Sequence, residues 1–193
     1  MTKKILLVLT TVLCSASLWA APFRTDSLYS KWVIDSRMGD FRNKNSTEGF
    51  KTPTNEAHTI WDYVTGLVAK SILMAHEQYS DKPWSAYYLT GVQYFADNTA
   101  MTLGESNIDD LNAGKIFFEL YRAALAQGDM TKAATYKANA TLCRNKLKNE
   151  HTRIGGTLPG KGGFWHKKQY VNQMWLDGLY MGPALYAEWQ GNF

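Results

Sequence analysis

Cysteine is scarce in this 193-residue chain, with Cys14 and Cys143 its two, and the four histidines at 58, 76, 151 and 166 form no close helical pair. The first scarcity excludes a disulfide framework. The second, with no cysteine cluster to add ligands, leaves no metal site to expect, and no motif calls for a cofactor. Gly155-Gly156 lacks the spacing of a phosphate loop, and no serine nucleophile elbow occurs. Concentrated positive charge is missing as well. The net charge of +4 is spread along the chain, and its densest basic stretch, Lys137 to Lys148, suits a solvated helix face better than a nucleic-acid surface. The apolar run from Ile5 to Leu13 is too short to cross a bilayer as a stable helix, so no membrane span is expected. No segment alternates with a two-residue period for long enough to predict a sheet.

What is present is a globular composition, 45% hydrophobic and 20% charged, in a chain long enough for one substantial core. The N-terminus has the order of a signal peptide over residues 1–20: Lys3-Lys4, the apolar run, then small residues up to Ala20-Ala21. Export to a periplasmic or extracellular location is therefore expected. Leu13 is bulkier than the residue that usually precedes a lipidated cysteine, which argues against Cys14 as a lipid anchor. Once the signal is removed, Cys143 is the remaining cysteine. Its setting, Thr141-Leu142-Cys143-Arg144 in a helical pattern, predicts a small buried hydrophobe rather than a nucleophile.

Six helices follow from periodicity and punctuation. Asp26 or Ser27 caps the first, which runs through Leu28, Trp32 and Val33 to about Gly39, and a polar loop covers 40–55. The second spans about His58 to Gln78, with Ile60, Tyr63, Val64, Leu67 and Ile72 as its apolar stripe. Pro83 opens the third, which carries Trp84, Tyr88, Val92 and Phe95 and fades near Leu103-Gly104. The fourth runs from Ile108 to Gly128, and the fifth from an Asp129 or Thr131 cap to Lys148. A glycine-rich loop, 150–172, delivers His166 and Gln173 to the sixth, at about Trp175 to Trp189. The fold class is all-α. Tyr63, Asp109 with Asn112, and Asp177 are polar residues in apolar surroundings near the starts of the second, fourth and sixth helices. If those helices share one polarity, these ends converge, as in an α/α toroid with inner helices around a cleft.

The stretch richest in chemistry is Gly162-Gly163-Phe164-Trp165-His166, running on to Gln173-Met174-Trp175-Leu176-Asp177-Gly178-Leu179-Tyr180-Met181. A buried helix has no packing need for Asp177 between Leu176 and Leu179, so its carboxylate has a buried partner or faces a cleft. This wording resembles the signature of glycoside hydrolase family 105, the unsaturated rhamnogalacturonyl hydrolases, related to the unsaturated glucuronyl hydrolases of family 88. The resemblance implies that Asp177 is the general acid/base. Desolvation by Trp175 and Tyr180, and a second carboxylate nearby, would help such a group keep its proton, while the helix N-terminus would oppose them. Ile108-Asp109-Asp110-Leu111-Asn112-Ala113-Gly114 resembles a second family segment, whose active-site aspartate corresponds to Asp109. By itself, an acidic residue there also answers to plain capping of the fourth helix.

His166, in the family's Gly-Phe-Trp-His wording, and Tyr63, in Trp61-Asp62-Tyr63-Val64-Thr65-Gly66-Leu67, match substrate-lining positions. Their alternatives are a structural histidine and a core aromatic. Trp165 and Trp175 offer flat faces for a sugar ring or for the core, and Gln173 completes the expected binding set. The family's fold is a six-hairpin (α/α)6 toroid, and helices for about three hairpins make residues 21–193 its expected N-terminal half. Open flanks would then expose apolar surface and allow self-association. The implied substrate is unsaturated galacturonyl-rhamnose or a similar disaccharide from pectin (rhamnogalacturonan) breakdown, hydrolysed after hydration of its C4=C5 double bond. Activity of so short a chain is an open part of that expectation. A non-catalytic carbohydrate-binding module and a helical interaction module are the alternatives.

Overall fold

A computed structural model describes residues 28–41 and 61–193, with backbone alone for 36–41. The expected signal peptide, the cap at Asp26 or Ser27, the loop over 40–55 beyond Phe41, and the proposed helical start at His58 lie outside the described residues. The chain divides into two compact units, 1–32 and 33–193. Of the first, only 28–32 are described. They form the first turn of helix α1 (Tyr29–Phe41), where the Trp32 N–H donates to the Leu28 carbonyl at 3.0 Å.

The second unit is built from helices joined by turns, with no strand among its described residues. Its elements after α1 are α2 (Tyr63–Gln78), α3 (Ser85–Asn98), α4 (Ile108–Asn112), a 3-10 turn (Ala113–Lys115), α5 (Ile116–Ala126), α6 (Met130–Asn145), a π turn (Lys146–Glu150) and α7 (Leu176–Asn192). Helices α2 and α3 form one hairpin, and α5 and α6 another, because each pair is joined by a short turn. Gly128, at φ +74°, supplies the left-handed residue that reverses the chain between α5 and α6. Asp129 then caps α6 by accepting the Lys132 N–H at 2.9 Å. Expectation and structure agree there.

Several boundaries and one face differ. Trp61 and Asp62 precede α2 instead of lying in it, because the Asp62 carboxylate accepts the Thr65 N–H at 2.7 Å and so ends the helix at Tyr63. Trp61 instead turns into the core, stacked on Phe95 and Phe117, and its indole N–H donates to the Asp110 carbonyl at 2.8 Å. Pro83 lies in the turn before α3, and α3 ends at Asn98 because Thr99 is extended, at ψ 122°. The expected stripe of α2 holds at Ile72 and fails at three of its other positions, while Ile60 lies outside the described residues. Tyr63, Val64 and Leu67 are exposed, while Thr65, Gly66, Ala69, Lys70, Ile72 and Leu73 are buried. Close approach explains the exchange: a Cβ on Gly66 would lie 2.3 Å from the Ala113 Cα, so small residues must face the 3-10 turn.

The core joins Leu73, Tyr88, Val92, Phe95, Ile108, Phe117, Phe118, Tyr136 and Leu185 across these helices. Within the second unit, Ile34 packs against this core, and the Tyr88 hydroxyl donates to the Asp35 carboxylate at 2.5 Å. Charge is buried as well. Lys70 of α2 pairs with Glu119 of α5 and, at 2.6 Å, with Glu188 of α7, tying three helices together. Lys115 reaches α7 from the 3-10 turn. Pro183 sits inside α7 and cannot donate a helical hydrogen bond, and one turn earlier Lys115 Nζ donates to the Tyr180 carbonyl at 3.0 Å. No described helix is long and apolar enough to cross a membrane.

Candidate active site

The site forms where α4 and α7 begin, against the loop that joins the π turn to α7. Asn107, extended at φ −116°, caps α4, its side-chain oxygen accepting the Asp109 N–H at 3.3 Å. Asp109 is therefore not the cap, and its carboxylate is free to point away from the helix axis. Asp110 serves local structure: its carboxylate accepts the Gly104 N–H at 2.8 Å and the Asn107 amide at 2.9 Å. Burial holds the Asp110 carboxyl above the usual range, and these donors pull it back in part.

The loop is short of regular structure but well tied. Bridges pair Arg153 with Phe164 and Asn107 with Lys167. The Ile108 N–H donates to the His166 carbonyl at 3.1 Å, and the His166 N–H to the Gln173 carbonyl at 2.8 Å. His151, buried below the loop, bonds through Nε2 to the Trp165 carbonyl at 2.7 Å, and burial pushes its basicity down. These bonds hold His166 against α4 and α7 together.

Asp109 is only 9% exposed. Lys167 Nζ lies 2.5 Å from its Oδ2, and His166 Nε2 lies 3.3 Å from its Oδ1. The hydrogen bond to Asp109 raises the Lys167 ammonium above its ordinary value. On the other side of the imidazole, His166 Nδ1 lies 3.8 Å from Asp177 Oδ1. A carboxylate, an imidazole and a second carboxylate thus stand in a row. The rings of His166, Trp175 and Tyr170 are close to parallel, with centroids 4.3 Å apart for His166 and Trp175 and 4.7 Å for Tyr170 and Trp175. Gly178 makes room for the row, since a Cβ there would lie 3.2 Å from His166 Nδ1.

The residues expected from sequence divide into two groups. Asp109, His166, Trp175 and Asp177 come together, as does the Gln173 side chain, whose Oε1 accepts the Trp175 indole N–H at 3.1 Å. Tyr63 joins the same end through its backbone, its carbonyl accepting the Asn112 amide at 3.3 Å. Its ring is 44% exposed, so it is not a core aromatic. Trp165 does not join. It alternates with Phe164 and His166, and its buried indole N–H lacks a hydrogen-bond partner. Phe164, not Trp165, lines the adjoining cavity of about 170 Å³ with Met174, Leu179 and Pro183. The expected desolvation of Asp177 is also absent. Its side chain is 56% exposed, because Trp175 stacks on His166 instead of covering the carboxylate.

Lys167 and Tyr170 escaped sequence reasoning. A lysine one residue after the motif histidine was a usable signal, since the bridge geometry places it beside α4, but nothing in the spacing of Tyr170 marked it. Among the described residues no group of histidine, cysteine, aspartate and glutamate is arranged to hold a metal ion.

This geometry has a counterpart in sequence comparison: the match to Glycosyl Hydrolase Family 88 covers residues 29–192. The chain belongs to that family. It is therefore a glycoside hydrolase directed at unsaturated uronyl substrates, with an oligosaccharide as the partner, and its helical hairpins fit the all-α (α/α) toroid fold of family 88. No solved structure matched the chain.

Proposed function

We propose that this family 88 member hydrolyses an unsaturated galacturonyl-rhamnose disaccharide from rhamnogalacturonan by hydrating the C4=C5 double bond. The observation that carries the reading is the row Asp109, His166, Asp177, in which one carboxylate is buried and ion-paired while the other is open to solvent. An open carboxylate can reach substrate; the buried one cannot do so without giving up Lys167. Asp177 is then the proton carrier. Its O–H proton passes to C4, water oxygen bonds to C5, and the proton lost by that water returns to the Asp177 carboxylate. The product is a hemiketal at C5, which opens and releases the neighbouring sugar. Asp109, fixed by Lys167 and the His166 Nε2, supplies the second charge. The separation of the two carboxylates carries no retention or inversion rule here, because displacement at the anomeric carbon is not the first step.

Trp175 and the exposed Tyr63 offer the faces on which sugar rings stack, and Gln173 holds the indole edge. The choice of rhamnose is supported by the apolar lining of the cavity, where Met174, Leu179 and Pro183 suit a methyl group better than a hydroxymethyl. Exposed Val64 and Leu67 on α2 and Leu176 on α7 support the view that further hairpins or a second copy pack there. Export rests on residues 1–20. The test is turnover of unsaturated galacturonyl-rhamnose against its glucuronyl counterpart, followed by loss of the uronate's ultraviolet absorbance. Preference for the first supports the proposal, and equal rates or the reverse preference refute its specificity. The exposure of Asp177 favours one second reading, a carbohydrate-binding module without turnover; sugar binding unchanged by Asp177→Asn, with no product, would establish it.

A further inference from the structure

We propose that the cavity adjoining His166 and Trp175 is a binding site for a small flat apolar ring, a benzenoid group, roofed by the Met174 thioether. The site goes beyond the methyl group placed there above, and its bearing on substrate choice rests on that functional reading. Size is the first argument. The cavity holds about 170 Å³, and an apolar cavity of about 150 Å³ takes up benzene. A methyl group leaves most of that space empty, whereas close-packed protein interiors carry few such voids.

The walls decide what kind of ring. Ile108, Phe164, Met174, Trp175, Leu179 and Pro183 line the space, and no lysine, arginine, aspartate or glutamate lines it. On the loop side stand Gly162 and Gly163, whose backbone groups are already engaged. Their N–H groups donate to the Ile154 and Gly160 carbonyls, and their carbonyls accept from Arg153 and from the Ile154 N–H, each at 2.8 Å. The Trp175 indole N–H is held by Gln173 at 3.1 Å, and His166 Nε2 faces Asp109 at 3.3 Å. Nδ1 of His166 is left as the one side-chain polar atom of the lining without a partner. A sugar ring lodged here would bury most of its hydroxyls unpaired, which costs free energy. An aromatic ring has no such groups, and it gains Phe164 and Trp175 as ring neighbours.

The roof can move. Met174 is 46% exposed, and its side chain lies along the glycine loop, where a Cβ on Gly163 would fall 2.1 Å from its Sδ and one on Gly160 3.0 Å from its Cε. Unbranched and polarizable, a methionine so placed swings aside to admit a ring and packs against its edge. The chemistry leaves the far side of the glycosidic bond free to vary. Hydration acts at C4=C5, so the group carried on C1 need only leave afterwards. Opening of the hemiketal gives a ketone at C5 and a hemiacetal at C1; the hemiacetal O–H proton goes to the departing oxygen as that C–O bond breaks, and C1 becomes an aldehyde. A phenol departs by this route as a sugar does. Unsaturated uronyl glycosides with an aromatic aglycone are therefore substrates of the site.

The test uses the whole chain and two independent readouts. The first is NMR of protein labelled at its methionine methyl groups, titrated with benzyl alcohol and separately with methyl α-rhamnoside, the Met174 signal being assigned through Met174→Leu. The expected result is a saturable ring-current shift of the Met174 methyl with benzyl alcohol, no comparable response to the rhamnoside, and loss of the shift in Leu179→Phe, where the new ring fills the cavity. No shift in the parent, an equal response to the rhamnoside, or a shift that survives in a folded Leu179→Phe overturns the proposal. The second readout compares the phenyl and methyl glycosides of the unsaturated galacturonyl unit. The parent should favour the phenyl glycoside in kcat/KM by about tenfold or more, and Leu179→Phe should bring the ratio close to one. A parent ratio near one, or a ratio unchanged in the variant, refutes the role in substrate choice. If the parent turns over neither these nor the rhamnose disaccharide, the functional reading fails, and the NMR titration still decides whether the cavity takes an aromatic ring.

Discussion

Replacing Lys70 by methionine removes the cation from the buried cluster that joins α2, α5 and α7. Glu119 is 6% exposed, and burial already holds its carboxyl above the usual range even with Lys70 beside it. Without Lys70, its nearest remaining cation is Arg122 at 3.5 Å, a half-exposed side chain also bonded to Glu77. Breaking a buried pair by removing one partner costs about 3–5 kcal/mol. The residual Arg122 contact and the partial exposure of Glu188 place this case at about 3 kcal/mol, or a Tm about 6–12 °C lower for a domain of this size. The pH dependence has a definite sign. A carboxyl whose folded value is raised favours folding below its unfolded range and loses that contribution as pH rises through the folded value. The deficit of Lys70→Met is thus largest near neutral pH and shrinks on acidification toward about pH 4–5. Thermal unfolding of parent, Lys70→Met and Lys70→Met/Glu119→Leu across that range is the assay. The double variant should recover most of the loss, since it leaves no unpaired charge at Glu119. A pH-independent deficit under about 1 kcal/mol, or no recovery, would refute the reasoning.

Gly66→Ala should cost at least about 2–3 kcal/mol, because its Cβ would press on the Ala113 backbone and not on a movable side chain; a Tm within 1–2 °C of the parent would show that the two segments are not in that contact. Burial pushes the Cys143 thiol up to about 12, so in folded protein lacking residues 1–20 a thiol reagent should react only after denaturant is added, and rapid labelling of native protein would contradict the packing. Burial lowers the Lys115 ammonium to about 8, so the folded state gives up its proton first and stability gains as pH rises from about 8 toward the unfolded value. Lys115→Met should lack that rise, and parallel stability curves for the two proteins would count against it.

The sequence made the fold class legible because punctuation and periodicity agreed: Gly128 with Asp129 marks a turn and a cap that the structure repeats. It misled on α2, where exposed Tyr63, Val64 and Leu67 looked like the core stripe. Periodicity records which residues are apolar, but the approach of Gly66 to Ala113 decides which face turns inward. In the site, the motif gave Asp109, His166, Trp175 and Asp177, and the spacing from Asp109 to Lys167 hid the ion pair. That contact depends on the bridge between Asn107 and Lys167, which joins segments 60 residues apart. The desolvation expected for Asp177 failed for a similar reason. Adjacency of Trp175 in sequence said nothing of the ring it would stack on, and it chose His166.

The central claim is that Asp177 carries the proton in hydration of an unsaturated uronyl sugar. Its most direct test is loss of the uronate absorbance when purified protein meets unsaturated galacturonyl-rhamnose, with Asp177→Asn measured beside the parent after both are shown to be folded. The account predicts turnover by the parent and a rate lower by about 10²–10⁴ for the variant, the usual worth of a positioned acid/base group. A variant as fast as the parent would contradict it.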